Sequence, residues 1–366
     1  MREWINHTKA MAYETGRRFR FPVKITGCSL EGNTLLIDVD SGYFDIIMQK
    51  SFGYEFQRFT NAGDAGGMTI KIDAVGGYAF RIRYPGNVVK DETLMAPDVP
   101  KGIGARIVET DEDITFILEK ASLRIIRHPL RMLLLDESGT MLVEIPGIDA
   151  CHPNDSGAGG FCSLNDFYPF GTSEGMSTFT TRLSLNERIY GLGEKFLGVD
   201  RRGQYIESIH QDCAGNEGAR TYKNIPFYMS TAGYGVYVNS AYLMDYDIGS
   251  VNFDFANIFL EEDEMDVFLI AGPSLRDILG RYCMITGFAP GLPRWSYGLW
   301  MSRNSYENAD IVRGIAHRLR AERIPCDVLH LDTYWFEQDW ICDLRFSKER
   351  FPEPEKLIAD LAKQGF

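Results

Sequence analysis

A chain of 366 residues, 45% hydrophobic and 24% charged, is long enough for two domains with buried cores. Its formal net charge of −13 argues against a nucleic-acid partner, because phosphate binding draws on a clustered Lys/Arg surface that is never assembled here; anionic membrane surfaces are disfavoured on the same ground. No stretch reaches membrane-spanning length, and Arg2, Glu3, His7, Lys9 and Glu14 break up any signal-peptide core near the start.

The seven cysteines (Cys28, Cys151, Cys162, Cys213, Cys283, Cys326, Cys342) are odd in number, scattered and without a C-x-x-C pair. They read as reduced thiols of a cytoplasmic protein. The six histidines form no cluster at metal-ligand spacing, so neither a metal nor a cofactor is expected.

From about residue 23 to 270 the chain reads as short β-runs broken by Gly, Asn and Asp. Strands are predicted at 35–39, 69–72, 79–84, 114–119, 123–127 and 132–135. Asp136-Glu-Ser-Gly-Thr140 carries hairpin-turn residues, with Gly139 free to take positive φ. Regular strand spacing over this length implies an antiparallel β-sandwich. Residues 151–173, rich in Gly and Asn and holding Phe161, Phe167, Tyr168 and Phe170, read as a self-packed surface loop. Ser274 caps a predicted helix whose Leu275, Ile278, Leu279 and Tyr282 form an apolar face.

Phe288-Ala-Pro-Gly-Leu-Pro-Arg294 permits neither helix nor central strand and reads as a linker. The expected organisation is therefore a sandwich domain over 1–285, a linker over 286–294 and a second domain over 295–366. The second domain should hold a strand at 297–301, a helix at 308–323 ended by Pro325, an apolar strand at 326–331, and a helix at 354–364 closed by Gly365. Strand, helix, strand, helix is the start of a (β/α)₈ TIM barrel. The residues after 290 are too few for the roughly 250 of a closed barrel, so the barrel is expected to be truncated.

In such barrels the residues just past the strand ends share one mouth. They are Ser302-Arg-Asn-Ser-Tyr306, after Trp300, and Asp332-Thr333-Tyr334-Trp335-Phe336. A carboxylate beside aromatic rings suits a sugar, whose hydroxyls donate to the oxygens while its C–H edges stack on the rings. The plainer readings are a capping role for Asp332 and a core role for Trp300.

Several motifs carry a family resemblance. Tyr190-Gly-Leu-Gly-Glu-Lys-Phe196 resembles the Y-G-L-G-E-R-F segment of glycoside hydrolase family 31. Tyr222-Lys-Asn-Ile-Pro-Phe-Tyr228 with Gly233-Tyr-Gly-Val236 resembles the sandwich motif that follows it. Leu292-Pro-Arg-Trp-Ser-Tyr-Gly-Leu-Trp300 and Ile324-Pro-Cys-Asp-Val-Leu-His-Leu-Asp332 resemble the first two barrel strands. Gly191, Gly193 and Gly235 read as turn or close-packing glycines, and Gly191-x-Gly193 lacks the third glycine of a dinucleotide fingerprint.

The resemblance implies a galactose-mutarotase-like sandwich ahead of the barrel, and a retaining α-glycosidase. Its nucleophile and acid/base aspartates, about 5–5.5 Å apart, lie on later strands, so no catalytic residue is expected before Phe366. The resemblance also implies that Asp332 bonds the sugar in the cleavage subsite; Thr333, Tyr334, Trp300 and Tyr306 are read as further contacts from their places at the strand ends. From the sandwich, a loop matching tryptophan-asparagine-arginine-aspartate reads Ile209-His-Gln-Asp212, keeping only the aspartate; Asp212 is thus a second contact or a solvated carboxylate. Glu337, Asp339 and Asp343 receive no role.

The expected partner is an α-linked oligosaccharide, xyloside or glucoside. In α-xylosidases of the family the subsite aspartate is followed by Cys, Phe and Trp; here Thr333, Tyr334 and Trp335 follow. The first reading is therefore α-xylosidase and the second α-glucosidase. A non-catalytic carbohydrate-binding protein is the reading from another class. Homo-oligomers are common in the family, and nothing in the sequence decides that question.

Overall fold

The computed structural model describes residues 19–47, 56–59, 66–86, 94–102, 104–147, 162–163, 170–212, 218–338 and 340–366. The chain divides into two compact units between Phe288 and Ala289.

The first unit is built of antiparallel strands in two sheets. The larger runs, edge to edge, through Ile189–Gly191, Phe227–Ser230, Tyr234–Val238, Met265–Ala271, Ala79–Tyr84, Gly67–Val75, Thr34–Ile47, Phe19–Glu31, Gly171–Ser173, Met176–Arg182, Phe255–Leu260, Met244–Ile248 and Gln204–Ser208. The smaller is a meander of Arg106–Glu109, Asp113–Ile117, Ala121–Arg127, Leu130–Asp136 and Met141–Ile145.

Alternation fixes the faces. Ile70 and Ile72 of one strand, and Leu123 and Ile125 of another, point inward while their neighbours stay partly exposed. One apolar core joins both sheets, with Phe80 and Phe116 meeting across it at 5.6 Å between ring centroids. Burying each such side chain contributes about 1.5–3 kcal/mol.

Five of the six strands predicted in the sandwich fall within observed ones. The one read at 114–119 stops at Ile117 because Leu118 N–H bonds Ala121 O at 2.8 Å and closes a turn. The 136–140 hairpin forms as read: Gly139 has φ 83°, and Asp136 Oδ1 accepts from the amides of Ser138 and Thr140.

Most of the segment 151–173 lies outside the described residues, including Phe161, Phe167 and Tyr168. Its described parts correct the loop reading, since Cys162–Ser163 and Gly171–Ser173 are strands. Phe170 is buried edge-on against Tyr84 at 5.5 Å, so it seats the strand Gly171–Ser173 beside Phe19–Glu31 rather than covering a surface loop.

The helix Leu275–Thr286 begins as predicted, with Ser274 Oγ accepting from Asp277 N–H. Ile278 and Ile285 point inward and Tyr282 stacks on Phe227 at 4.0 Å. Leu279, predicted on the apolar face, faces solvent instead. Gly235 lies beneath this helix, where a Cβ would come within 2.6 Å of Ile278 Cγ2.

Among the described residues Glu187 and Asp247 are two of the carboxylates buried in the sandwich. Glu187, 5% exposed, accepts from Ser230 Oγ at 2.5 Å, Tyr234 Oη at 2.7 Å and Ser184 N–H at 2.7 Å. Asp247 accepts from Ser250 and Val251; burial holds its pKa above the usual carboxylate range, against the lowering effect of those bonds.

In the second unit, strands Trp300–Ser302 and Val328–His330 are parallel, with Trp300 opposite Val328 and Ser302 opposite His330. Helix Ala309–Ala321 is capped by Asn308, whose Oδ1 accepts from Asp310 and Ile311 amides. It ends before Pro325, at a left-handed Arg323 with φ 57°. Helix Pro354–Lys363 is followed by Gly365 at φ 78°. Val312, Phe351 and Leu357 form the small core of the unit together with Tyr306. The strand predicted at 297–301 begins later, because Ser296 N–H bonds Pro293 O and winds Arg294–Tyr297 into a 3₁₀ turn.

Among the described residues no helix is long and apolar enough to cross a membrane.

Glu187→Ala should lower the stability of the first unit by about 1–3 kcal/mol or more, since it strands two buried hydroxyls; an unchanged urea midpoint would contradict this. Asp247 gives a pH signature. With its native pKa raised above the unfolded value near ~3.9, its stabilisation is complete below that value and is lost as pH rises through the native one. The stability of the parent relative to Asp247→Asn should therefore fall as pH rises from about 4 through the raised native value.

Candidate functional site

The parallel register decides which residues share an end of the strand pair. Ser302 and His330 close the two strands side by side, with Ser302 Oγ 3.2 Å from His330 Nδ1. Asp332 follows two residues later in extended backbone, the same parity as His330. Its Oδ1 accepts from Thr333 N–H at 2.8 Å and caps the 3₁₀ turn Thr333–Trp335, which is the plainer role read from the sequence. Among the described residues its second oxygen accepts nothing.

Thr333 is half-buried in that turn and Tyr334 is 38% exposed. The turn is braced from behind. Arg350 donates Nε–H to Tyr334 O at 2.9 Å and Nη2–H to Phe336 O at 2.7 Å, and its guanidinium lies 5.6 Å from the Tyr334 ring centroid. Ser347 N–H bonds Trp335 O, and Trp335 packs on Phe346 at 4.8 Å. Asp332, Thr333 and Tyr334 are thus one rigid group.

Two predicted contacts are not part of that group. Trp300, 48% exposed, sits opposite Val328, four residues before Asp332. At ~3.3 Å per residue the offset along the strand is on the order of 13 Å, so Trp300 stands at the other end of the pair. Tyr306 is 1% exposed, donates its hydroxyl to Met301 O at 3.0 Å, and has its phenol pKa pushed up by burial. Its ring is a core element beside helix Ala309–Ala321, with no face to offer a sugar.

His330 went unread as a mouth residue. The signal was its place two residues before Asp332 on the same strand. Beyond the turn, Asp343 accepts from the amides of Gln338 and Arg345, whereas Asp339 lies outside the described residues. Trp340, Cys342 and Leu344 all have left-handed φ, at 63°, 47° and 54°, and Trp340 is 78% exposed.

In the first unit Asp212 is exposed, on a loop that leaves strand Gln204–Ser208. Gln211 N–H bonds Thr221 O at 3.1 Å and His210 bridges to Thr221. The preceding motif explains its glycines. Gly191, Leu192 and Gly193 all have positive φ, and a Cβ on Gly193 would lie 2.0 Å from Lys223 O. No cluster that could hold a metal ion occurs among the described residues.

An antiparallel sandwich followed by parallel βα units defines a class of proteins that set a galactose-mutarotase-like domain ahead of a TIM barrel. Residues 69–247 match the glycosyl hydrolase 31 N-terminal galactose mutarotase-like domain, and residues 289–366 the glycosyl hydrolases family 31 TIM-barrel domain. The chain belongs to glycoside hydrolase family 31.

It is 35% identical over 186 residues to the alpha-xylosidase XylQ of Lactiplantibacillus pentosus, an alignment spanning 50% of this chain and 24% of that protein. To alpha-glucosidase 2 of Bacillus thermoamyloliquefaciens it is 26% identical over 272 residues, or 73% of this chain and 32% of that one. A family 31 dextranase from Flavobacterium johnsoniae, complexed with glucose, shares the fold at TM-score 0.75 and 22% identity, over 94% of this chain and 38% of that one. A family 31 alpha-xylosidase from a soil metagenome, complexed with xylose, does so at TM-score 0.68 and 18% identity, over 93% and 46%. The chain spans about a quarter to a third of the length of these two curated relatives.

Gly193→Ala should destabilise the first unit by about 1–3 kcal/mol, because backbone rather than a side-chain tip meets the new Cβ. Gly280→Ala, in a helix with open space around it, should instead stabilise by about 0.5–1 kcal/mol. Urea unfolding of the two variants checks both signs, and equal midpoints would contradict the assignment.

Proposed function

We propose that the protein is a retaining α-glycoside hydrolase that releases a terminal α-linked sugar, with α-xylosidase as its activity. The observation that carries this reading is Asp332, two residues past a parallel strand, with one carboxylate oxygen fixed on Thr333 N–H. The second oxygen is left for sugar hydroxyls. Tyr334 stands beside it on the braced turn.

Three relatives named alpha-xylosidase, at 35%, 34% and 31% identity, support the xyloside preference. The physical difference from a glucoside is one hydroxymethyl group, whose accommodation or exclusion is worth about 1–3 kcal/mol. The second reading, α-glucosidase, draws on the alpha-glucosidase 2 alignment, which covers 73% of this chain. Asp212 is proposed as a further sugar contact and residues 286–294 as the linker between the sandwich and barrel domains. Cys28, Cys283, Cys326 and Cys342 are free thiols, which supports a cytoplasmic setting.

On the protein with a complete barrel, nitrophenyl α-xyloside should be cleaved with kcat/KM at least about tenfold above the α-glucoside, the ratio that ~1.4 kcal/mol gives. The reverse ratio would assign α-glucosidase, and hydrolysis of neither would overturn the enzymatic reading in favour of a carbohydrate-binding protein. Asp332→Asn should lower kcat/KM by roughly 10–150-fold, the loss of a hydrogen bond to a charged group worth about 1.5–3 kcal/mol.

A further inference from the structure

The Asp212 loop leaves the sheet after Ser208 and its chain returns by Thr221, so something must hold its two flanks together. Lys195 reaches both. Its ammonium donates to Glu207 O at 3.3 Å on the outgoing flank and to Ala219 O at 2.8 Å on the returning one, and it also bonds Asn224 Oδ1. Asn224 repeats the pattern with its amide, donating to Ile209 O and to Thr221 O, both at 2.8 Å. The two side chains form one cross-brace.

The approach of Lys195 is itself built. The positive-φ run Gly191-Leu192-Gly193 turns the chain until Glu194 N–H bonds Lys223 O at 3.0 Å, and the next residue then lies over the loop base. Backbone carbonyls are fixed dipoles, and a half-buried cation bonded to two of them on opposite flanks resists their separation.

We infer that Lys195, with Asn224, is a positioning residue for substrate binding, setting where the loop presents Asp212. This rests on the reading of Asp212 as a sugar contact given above. The position needs a cation with several donors. The family segment it resembles has arginine there, so Lys195→Arg is the conservative exchange, while Lys195→Met keeps the stem and removes the donors.

The test is a cycle of Lys195→Met and Asp212→Ala in the protein with a complete barrel. KM and kcat are measured on the better nitrophenyl α-glycoside, together with exchange of the Gln211 amide. Lys195→Met should raise KM about fivefold with kcat little changed, and speed Gln211 exchange at least about tenfold. Lys195→Arg should restore both. In the Asp212→Ala background Lys195→Met should add nothing further to KM, because the residue acts only through that carboxylate.

Independent, additive effects on KM would overturn the inference, as would an unchanged KM in Lys195→Met where Asp212→Ala raises it. An unchanged KM in Asp212→Ala alone would overturn the reading of Asp212, and the inference with it. Should Lys195→Met not fold, Asn224→Ala, which cuts the tie to Ile209 while leaving Lys195 on Glu207 and Ala219, must show the same non-additivity with Asp212→Ala.

Discussion

Phe80 and Phe116 meet between the two sheets of the first unit, and the layout of that unit follows from keeping their seam dry. A strand offers any one face only every second residue, so a continuous seam requires each strand to hold its register. Where a strand must end or turn, the chain uses a device that leaves no backbone group stranded. Asp136 fills the hairpin with its own oxygen, Gly235 lets a helix press on the sheet, and Glu187 gathers two hydroxyls that would otherwise be buried without its carboxylate. The proposed sugar contact Asp212 lies outside the seam, on a loop that leaves strand Gln204–Ser208.

The second unit obeys a different constraint. Parallel strands send all their C-terminal ends the same way, so one register suffices to separate mouth from base. That distinction puts His330 with Ser302 and Asp332 and removes Trp300 from their company. The turn that carries Asp332 is rigid for reasons remote from any sugar: a guanidinium on two carbonyls and an aromatic pair behind it. Rigidity of this kind matters because a carboxylate held in place loses little freedom when a ligand arrives.

Much of this was legible in the residues. Alternating Ile, Val and Leu gave the strands, Ser274 and the linker prolines gave the helix start and the punctuation, and Asp332 followed from its place after an apolar strand. What the sequence hid depended on partners distant along the chain. Tyr306 read as a mouth residue because it follows a strand, but helix Ala309–Ala321 needs an aromatic ring at its base, and no local pattern distinguishes the two uses. Phe170 read as a loop aromatic because its partner, Tyr84, is far away in sequence. The cross-brace of Lys195 and Asn224 was invisible for the same reason, since its acceptors are backbone carbonyls that carry no signature.

The segment after the Asp332 turn remains the least economical piece of backbone. Three residues with side chains, Trp340, Cys342 and Leu344, occupy the left-handed region where glycine or asparagine would be at ease. At roughly 1–2 kcal/mol for each such residue, the segment carries a standing conformational cost. An engineer seeking thermostability would turn there first, and Leu344→Gly or Cys342→Asn are the natural exchanges. Trp340 is the exception. Its large ring is solvent-facing on a left-handed backbone, a placement that packing does not explain, and it is the one of the three that a stabilising library should leave unchanged.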